Sequence, residues 1–245
     1  MKRLVFLLLL LAGPVQADER RSGFADMSRE TQAMQQDDAL NPAMLWVAEG
    51  EVLWNSGSPA CASCHGAPQA MRGVAARYPA YDAASEKVFD LARRVNACRS
   101  RHQGQAPFAP ESDEILALTA LIGQQSRGLP LAPPDDARLA PHRQRGAMLY
   151  RQRIGQLNFS CVQCHDDNAG RRLAGSIIPQ GHPTGYPLYR LEWQGLGSLQ
   201  RRLRNCMIGL RAEPFAYDAD AMIELELYLV ERARGMPVET PAVRP

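Results

Sequence analysis

Two stretches of the sequence, 61–65 and 161–165, each place two cysteines three residues apart with a histidine directly after the second. This C-x-x-C-H pattern is typical of c-type haem attachment, because two thiols bond the vinyl groups of one porphyrin while the histidine reaches the iron. The pattern predicts two covalently bound haem c groups, one in each half of the chain. The predicted attaching cysteines and iron ligands are Cys61, Cys64 and His65 for the first haem and Cys161, Cys164 and His165 for the second.

Both motifs belong to a longer internal repeat. An apolar segment that starts with glycine precedes each motif, and a Pro-Phe-Ala element and an Arg-Gly-x-Pro element follow each at matched spacing. In the first half these elements are 50–54, 107–109 and 127–130, and in the second half they are 146–150, 214–216 and 234–237. A duplicated unit is the simplest account of this self-similarity.

Each repeat is expected to end on a helix with one buried face. Apolar residues recur there with i, i+3, i+7 spacing, at Ile115, Leu118 and Ile122 in the first half and at Met222, Leu225 and Leu229 in the second. Ser112 and Asp220 are the expected N-caps of these helices. A first helix, a haem motif, a loop-rich middle and a last helix predict a mainly α fold of two tandem cytochrome c-like domains related by internal duplication.

The start of the chain and the segment between the repeats complete the predicted domain organisation. A basic start, a short apolar run and a small-residue ending at 1–17 are typical of an export signal, so we expect a periplasmic protein with no membrane span. The polar segment that follows either packs on a partner or the other domain or forms a loosely ordered terminus. The predicted units are a signal peptide at 1–17, an N-terminal extension at 18–41, domain 1 at 42–130, a proline-rich linker at 131–141 and domain 2 at 142–245.

Charge composition excludes one class of partner. The chain has 28 basic and 26 acidic residues. Removal of the signal would take away Lys2 and Arg3 and leave the two signs balanced, which gives no support for nucleic-acid binding. Lys87 is then the one remaining lysine, so nearly all positive charge is arginine, a side chain suited to holding oxyanions.

Two cysteines, Cys98 and Cys206, remain once four are assigned to haem, and they occupy matching places in the repeat. Three interpretations are open: axial thiolate ligation of each haem iron, a disulfide between the two, or a free nucleophilic thiol. Other side chains that could bind iron lack a counterpart in the same role in the other half. They are His102, His182, Met222 and Met236, whereas His142 is expected outside both haem pockets.

Arginines cluster around Cys206, and Arg202 would share a helix face with it at a spacing of four residues. A nearby positive charge favours thiolate over thiol and could hold a sulfur oxyanion beside the sulfur. The alternative is a solvated basic helix face. No comparable cluster is assigned to Cys98, so the first haem is expected to be structural or a poor electron relay.

The chain resembles SoxA, the dihaem c-type subunit of the SoxAX complex of bacterial sulfur oxidation. The resemblance covers nearly the whole mature chain and is most specific at 189–200, at the Arg-Asn-Cys stretch ending at Cys206, and at 211–215.

The resemblance implies His65 and Cys98 as axial ligands of the first iron, and His165 and Cys206 of the second. It implies that Cys206 is the active-site thiolate or persulfide and that Arg202 binds the substrate oxyanion. The implied reaction is oxidative conjugation of thiosulfate to a cysteine of a SoxYZ-like carrier, as an L-cysteine S-thiosulfotransferase. The implied redox partners are a SoxX-like monohaem cytochrome, in a heterodimer, and a small cytochrome c acceptor.

Two other functions remain compatible with the haem motifs. A dihaem periplasmic electron carrier without bond-making chemistry accounts for the signal and the repeat but leaves Cys98, Cys206 and Arg202 unexplained. A structural haem subunit that only scaffolds a partner would require two irons without redox function in the working range.

Overall fold

The computed structural model describes residues 19–245, and the expected signal peptide lies outside them. Helices dominate this part of the chain, and the strands are short. The helices are α1 Arg29–Gln36, α2 Met44–Trp54, α3 Cys61–His65, α4 Leu91–His102, α5 Asp113–Gln124, α6 Ala140–Arg151, α7 Cys161–His165, α8 Leu199–Gly209 and α9 Asp220–Arg232. The strands are β1 Ala80–Asp82, β2 Lys87–Phe89, β3 Arg172–Leu173, β4 Ser176–Ile177, β5 Leu188–Arg190, β6 Gly195–Gly197 and β7 Ala242–Arg244.

The internal repeat is visible in the order of the elements. Helix α2, the one-turn helix α3, the hairpin β1–β2, and helices α4 and α5 recur as α6, α7, β5–β6, α8 and α9. The fold is mainly α, as predicted. The sequence prediction of a loop-rich middle missed the hairpins and helix α4, which carries Cys98, whereas a helix at Cys206 was considered and is observed as α8.

One helix crossing forms the core of each half, and the two crossings match. Helix α2 packs on α5, and α6 packs on α9. A glycine stands at each crossing: a Cβ on Gly50 would lie 2.5 Å from the carbonyl oxygen of Ala117, and one on Gly146 would collide with that of Glu224. Glycine therefore sets the close approach of both helix pairs.

The ends of the last helices differ slightly from expectation. Ser112 occupies the N-cap position of α5, as predicted. Helix α9 is instead capped by Ala219, and Asp220 is its first residue. An acidic residue in the first turn still favours the helix through its interaction with the helix dipole.

The segment predicted as a linker also takes part in the core. Leu131 and Leu139 are buried, a short 3-10 helix spans Ala137–Leu139, and α6 already begins at Ala140. Pro141 lies in the first turn of α6, where the missing N–H of proline costs no intrahelical hydrogen bond. This is why the prolines of the segment did not delay the helix.

The N-terminal extension packs on the second half of the chain. Its helix α1 is capped by the Ser28 side chain, which accepts from the backbone N–H of Thr31. The backbone N–H of Arg21 donates to Gln180 Oε1 at 2.7 Å, and that of Val243 donates to Gln35 Oε1 at 3.1 Å. Of the two sequence interpretations, packing on the other domain is therefore the one observed. In the described part of the chain, no helix has the length and apolar character needed to cross a bilayer.

Candidate haem-binding active site

A cavity of about 690 Å³ in the second half brings together side chains that the sequence singled out. We call it the Cys206 cavity. Cys161, His165, Arg202 and Cys206 all line it. They come from α7 and α8, which are separated in the sequence by the two hairpins β3–β4 and β5–β6.

Helix α7 is a single turn fixed by its first residues. The Ser160 side chain and Gln163 form a capping box, in which Gln163 Oε1 accepts the backbone N–H of Ser160 at 3.0 Å. This cap holds Cys161, Cys164 and His165 on one short turn. All three are partly buried.

A backbone carbonyl fixes the orientation of His165. Its ring Nδ1 lies 2.7 Å from the carbonyl oxygen of Pro179, so Nδ1 carries the hydrogen and donates it. With Nδ1 held in this way, Nε2 is the ring nitrogen that would bind the iron of a haem, as is usual for metal-binding histidines. Gly181 packs against the same ring, where a Cβ would lie 3.1 Å from Cγ. Sequence analysis missed both Pro179 and Gly181.

An ion-pair network at Asp166, directly after His165, fixes the C-terminal end of α7. Sequence analysis did not predict this network. Arg232 of α9 contacts Asp166 at 2.6 Å, and the hydroxyl of Tyr150 donates to the same carboxylate at 2.8 Å. Burial would raise the pKa of Asp166, but Arg232 and Tyr150 outweigh it and hold this pKa below its usual value. The network ties α6, α7 and α9 together directly after the histidine.

Cys206 is on α8, one helical turn after Arg202, and it contacts His165. Burial would raise the pKa of the Cys206 thiol. The hydrogen bond with His165 and the positive charges of Arg202 and Arg190 outweigh burial and lower that pKa below its usual value. The predicted shared helix face of Arg202 and Cys206 is observed, and the environment favours thiolate.

The N-terminal extension supplies one wall of the Cys206 cavity. The residues of this wall are among the first described residues, whereas the cysteines that line the cavity belong to the second repeat. Its lining residues are Gly23, Asp26, Met27, Ser28 and Thr31.

In the first half, the corresponding residues lie on α3 and α4 and are more open to solvent. Cys64 and His65 are exposed, and the His65 ring lies 5.7 Å from that of Trp54. Cys98 is partly buried beside Cys61 and Cys64. Burial and the neighbouring thiols raise its pKa, opposed by Arg94.

This corrects the contrast drawn from the sequence. Cys98 does have a comparable arginine, because Arg94 stands four residues before it, as Arg202 stands before Cys206. The difference is that Arg94 is bound to Asp82 at 2.8 Å. The sequence alone did not reveal Asp82, which lies on a separate strand.

The described thiols do not form a disulfide. All six cysteines are free, with Cys98 beside the first motif and Cys206 beside the second. Among the other candidate iron ligands, Met222 and Met236 are buried in apolar clusters, and His142 contacts Glu224 at 2.8 Å. His102 is exposed, whereas His182 lines the Cys206 cavity.

The residues present fit haem c. The Cys206 cavity has the volume typical of a cofactor pocket. Its lining includes the imidazole of His165, the motif thiol of Cys161 and the further sulfur of Cys206, and Cys164 lies on the same short helix α7. This is the donor set of a thiolate-ligated c-type haem. Cys61, Cys64, His65 and Cys98 repeat the same residue types in the first half.

Comparison with known proteins places the chain in a family. The family described as "SoxA/TsdA, cytochrome c domain" matches residues 49–131 and 145–238. The chain belongs to the SoxA/TsdA cytochrome c family. Family membership implies covalently bound haem c.

Relatives within the family match over most of the chain. The L-cysteine S-thiosulfotransferase subunit SoxA of Pseudaminobacter salicylatoxidans is 36% identical over 93% of this chain and 82% of its own length. That of Paracoccus pantotrophus is 36% identical over 91% and 78%. The SoxXA crystal structure from P. pantotrophus superposes with a TM-score of 0.89 at 36% identity, covering 92% of this chain and 87% of the matched chain.

Proposed function

We propose that this chain is a SoxA-like subunit of an L-cysteine S-thiosulfotransferase, which conjugates thiosulfate oxidatively to a cysteine of a SoxYZ-like carrier. The observation that carries the proposal is the meeting of Cys206, Arg202 and His165 in one cavity. The 36% identical relatives named for this activity support it. It acts in the periplasm, as a heterodimer with a SoxX-like monohaem cytochrome.

The net reaction joins two sulfur atoms and releases two electrons. A carrier thiol and thiosulfate give the carrier S-thiosulfonate, one proton and two electrons. Haem c bound at the residues described above supplies one-electron redox chemistry, with the SoxX-like subunit and a small cytochrome c as the onward acceptors. The chain's own residues bind the thiosulfate, position it and exchange sulfur.

Cys206 and Arg202 act on opposite ends of thiosulfate. The Cys206 thiolate forms a bond to the sulfane sulfur, and the resulting Cys206 S-thiosulfonate has lost two electrons relative to the separate reactants. Arg202 holds the sulfonate end through charge-assisted hydrogen bonds. The carrier thiolate then attacks the sulfane sulfur, so the carrier S-thiosulfonate forms and Cys206 leaves as thiolate. If Cys206 carries a persulfide, the outer sulfur of the persulfide would take part in the same exchange in place of the cysteine sulfur.

The ligand and domain assignments belong to this proposal. Two haem c groups are held, the first by Cys61, Cys64, His65 and Cys98 and the second by Cys161, Cys164, His165 and Cys206. The division into domain 1 at 42–130 and domain 2 at 142–245 stays a prediction, and helix α6 begins at Ala140, two residues before the second boundary. Haem quantification should give two haems per chain, and electron paramagnetic resonance of the oxidised protein should show two low-spin centres with thiolate ligation. Histidine–methionine signatures at both irons would contradict the assignment.

Replacement of Cys206 by serine tests the reaction, with Cys98→Ser as the matched control in the other half. We expect the Cys206→Ser holoprotein to keep both covalent haems, measured by mass, but to lose thiosulfate conjugation, measured as the added thiosulfonate mass on the carrier. Cys98→Ser should retain conjugation. Normal turnover by Cys206→Ser would contradict the proposal and favour a plain electron carrier.

A further inference from the structure

The two halves of the chain place an arginine identically relative to the cysteine that follows each haem motif. Arg94 precedes Cys98 on α4, and Arg202 precedes Cys206 on α8, both by four residues. The hairpins before these helices also match, since β1 and β5 stand at the same distance from their cysteines. The last residue of β1 is Asp82, and the last residue of β5 is Arg190.

In the first half, the residue at this hairpin position is Asp82, and it forms an ion pair with Arg94. Asp82 contacts Arg94 at 2.8 Å and Arg101 at 2.7 Å, and only 5% of its side chain is exposed. A buried carboxylate between two guanidinium groups uses the hydrogen-bonding capacity that an incoming anion would need. In the first half, Arg94 therefore already has a buried carboxylate as its partner.

In the second half, the sign at this position is reversed. Arg190 takes the place of the aspartate, and both Arg190 and Arg202 line the Cys206 cavity. Within residues 19–245, no carboxylate lies within ion-pair distance of Arg202. Burial and the like charge of Arg202 lower the pKa of Arg190. This direction is expected when two guanidinium groups lie close together and their charges are only partly neutralised.

Two contacts orient Arg190. Its Nε donates to a backbone oxygen of Pro245 at 2.8 Å, and its Nη2 contacts Glu192 at 2.7 Å. The Glu192 side chain is 65% exposed, whereas that of Arg190 is 14% exposed. An ion pair with a solvated carboxylate is weak, so the guanidinium keeps much of its attraction for an anion in the cavity.

We propose that Arg190 is a second substrate-binding residue, which holds the sulfonate end of thiosulfate together with Arg202. The exchange of aspartate for arginine at this hairpin position then confines oxyanion binding to the second half of the chain. The inference rests on the proposed function for the identity of the anion. Two guanidinium forks match the geometry and the double negative charge of a sulfur oxyanion.

The test compares Arg190→Gln and Arg190→Asp with the wild-type holoprotein by equilibrium dialysis of radiolabelled thiosulfate. Loss of one charge-assisted contact should weaken thiosulfate binding about 10- to 100-fold in Arg190→Gln. Arg190→Asp should weaken it further, because it recreates the Asp82–Arg94 ion pair of the first half. Arg190→Lys, which keeps the charge, should restore part of the affinity. Arg171→Gln, which removes one charge from an exposed position, is the control and should bind like wild type.

Turnover separates this inference from the proposed function. The KM for thiosulfate should rise in Arg190→Gln while kcat at saturation changes little. Unchanged thiosulfate affinity combined with a shifted haem potential would overturn the inference, because Arg190 would then serve haem instead of substrate. Arg190-dependent thiosulfate binding without conjugation to any carrier thiol would leave the anion site standing and refute the proposed function. The haem absorption spectrum of each variant verifies that it is folded.

Discussion

His165 Nδ1 lies 2.7 Å from the carbonyl oxygen of Pro179, fourteen residues further along the chain. The loop that supplies this carbonyl is held in turn by the N-terminal extension, because Gln180 accepts from the backbone of Arg21. Orientation of the histidine therefore depends on a segment that the C-x-x-C-H motif does not contain. The carbonyl fixes the tautomer and raises the basicity of the ligand.

Substitution of Gly181 should disturb this orientation. Gly181 has φ of +73°, and a Cβ there would lie 3.1 Å from His165 Cγ. We expect Gly181→Ala to keep covalent haem but to change the electron paramagnetic resonance signal and the potential of one haem. Gly175→Ala, at the mouth of the same cavity with open space around its Cα, is the control. Identical spectra for both variants would show that the ring position tolerates the added methyl group.

The matched helix crossings predict a large cost for a single methyl group. A Cβ on Gly50 or Gly146 would meet a backbone carbonyl of the facing helix, which cannot move as a flexible side chain can. We expect Gly50→Ala and Gly146→Ala each to lower the free energy of unfolding by about 1–3 kcal/mol, measured by urea denaturation. Gly209→Ala, at the open end of α8, should be neutral or stabilising. A neutral result at both crossings would contradict the close packing.

A buried acidic cluster between the halves should make the protein less stable as pH rises. Burial, together with the negative charges of Asp90 and Asp218, raises the pKa of Glu226 well above its usual value, opposed by a hydrogen bond from Gln200. Burial likewise raises the pKa of Asp90 to about 6. The folded state then binds more protons than the unfolded state, so the stability contributed by these groups is lost as pH increases through their raised pKa values.

Glu226→Gln should remove part of this pH dependence. Each pKa unit between the folded and unfolded states is equivalent to about 1.4 kcal/mol, so the variant should gain stability relative to wild type at pH 8 and little at pH 5. Thermal unfolding across this range is the measurement. Glu231→Gln is the control on the same helix, because its hydrogen bond with Arg234 lowers the pKa of Glu231 and the change should have the opposite sign. Parallel curves for wild type and Glu226→Gln would exclude a titrating Glu226.

Asp82 predicts the opposite response to acid. Its hydrogen bond with Arg101, and those with Ser85 and Arg94, hold its pKa well below its usual value despite burial. Asp82→Asn should cost about 2–4 kcal/mol at pH 7, because two arginines lose a buried partner. This difference should shrink as pH falls below about 4, where Asp82 begins to take up protons in the unfolded state.

Asp136→Asn provides the matched control for Asp82. Asp136 pairs with Arg138 near the surface, where both side chains are more exposed than Asp82. Its loss should cost less than about 1 kcal/mol. Urea titrations at pH 7 and pH 4 measure both variants, and equal losses for the two would argue against the neutralising role of Asp82 in the first half.

The sequence predicted the parts of the site that are local in the chain. The motif residues, the last helices and the spacing of Arg202 and Cys206 all follow from patterns within about a dozen residues, and the duplication follows from the recurrence of such short patterns in both halves. Pro179 escaped notice because its carbonyl carries no side-chain signature. Arg94 was visible in the sequence, but its neutralisation by Asp82 depends on a hairpin folding back onto α4.

Contacts between distant segments were also beyond the sequence patterns. Nothing in the composition of the N-terminal extension indicates that Met27 and Thr31 line the Cys206 cavity. Asp82 and Arg190 do not align when the halves are matched on their haem motifs, because the halves differ in length between the motifs and these strands; they align when the halves are matched on Cys98 and Cys206.

The position of the N-terminal extension has a consequence for maturation. Under the proposed export and haem assignment, the extension would leave the export machinery before the second repeat does, although in the folded chain it forms one wall of the Cys206 cavity. An enzyme that attaches haem to Cys161 and Cys164 needs open access to both sulfurs. We therefore expect haem attachment at the second motif to precede docking of the N-terminal extension onto the cavity.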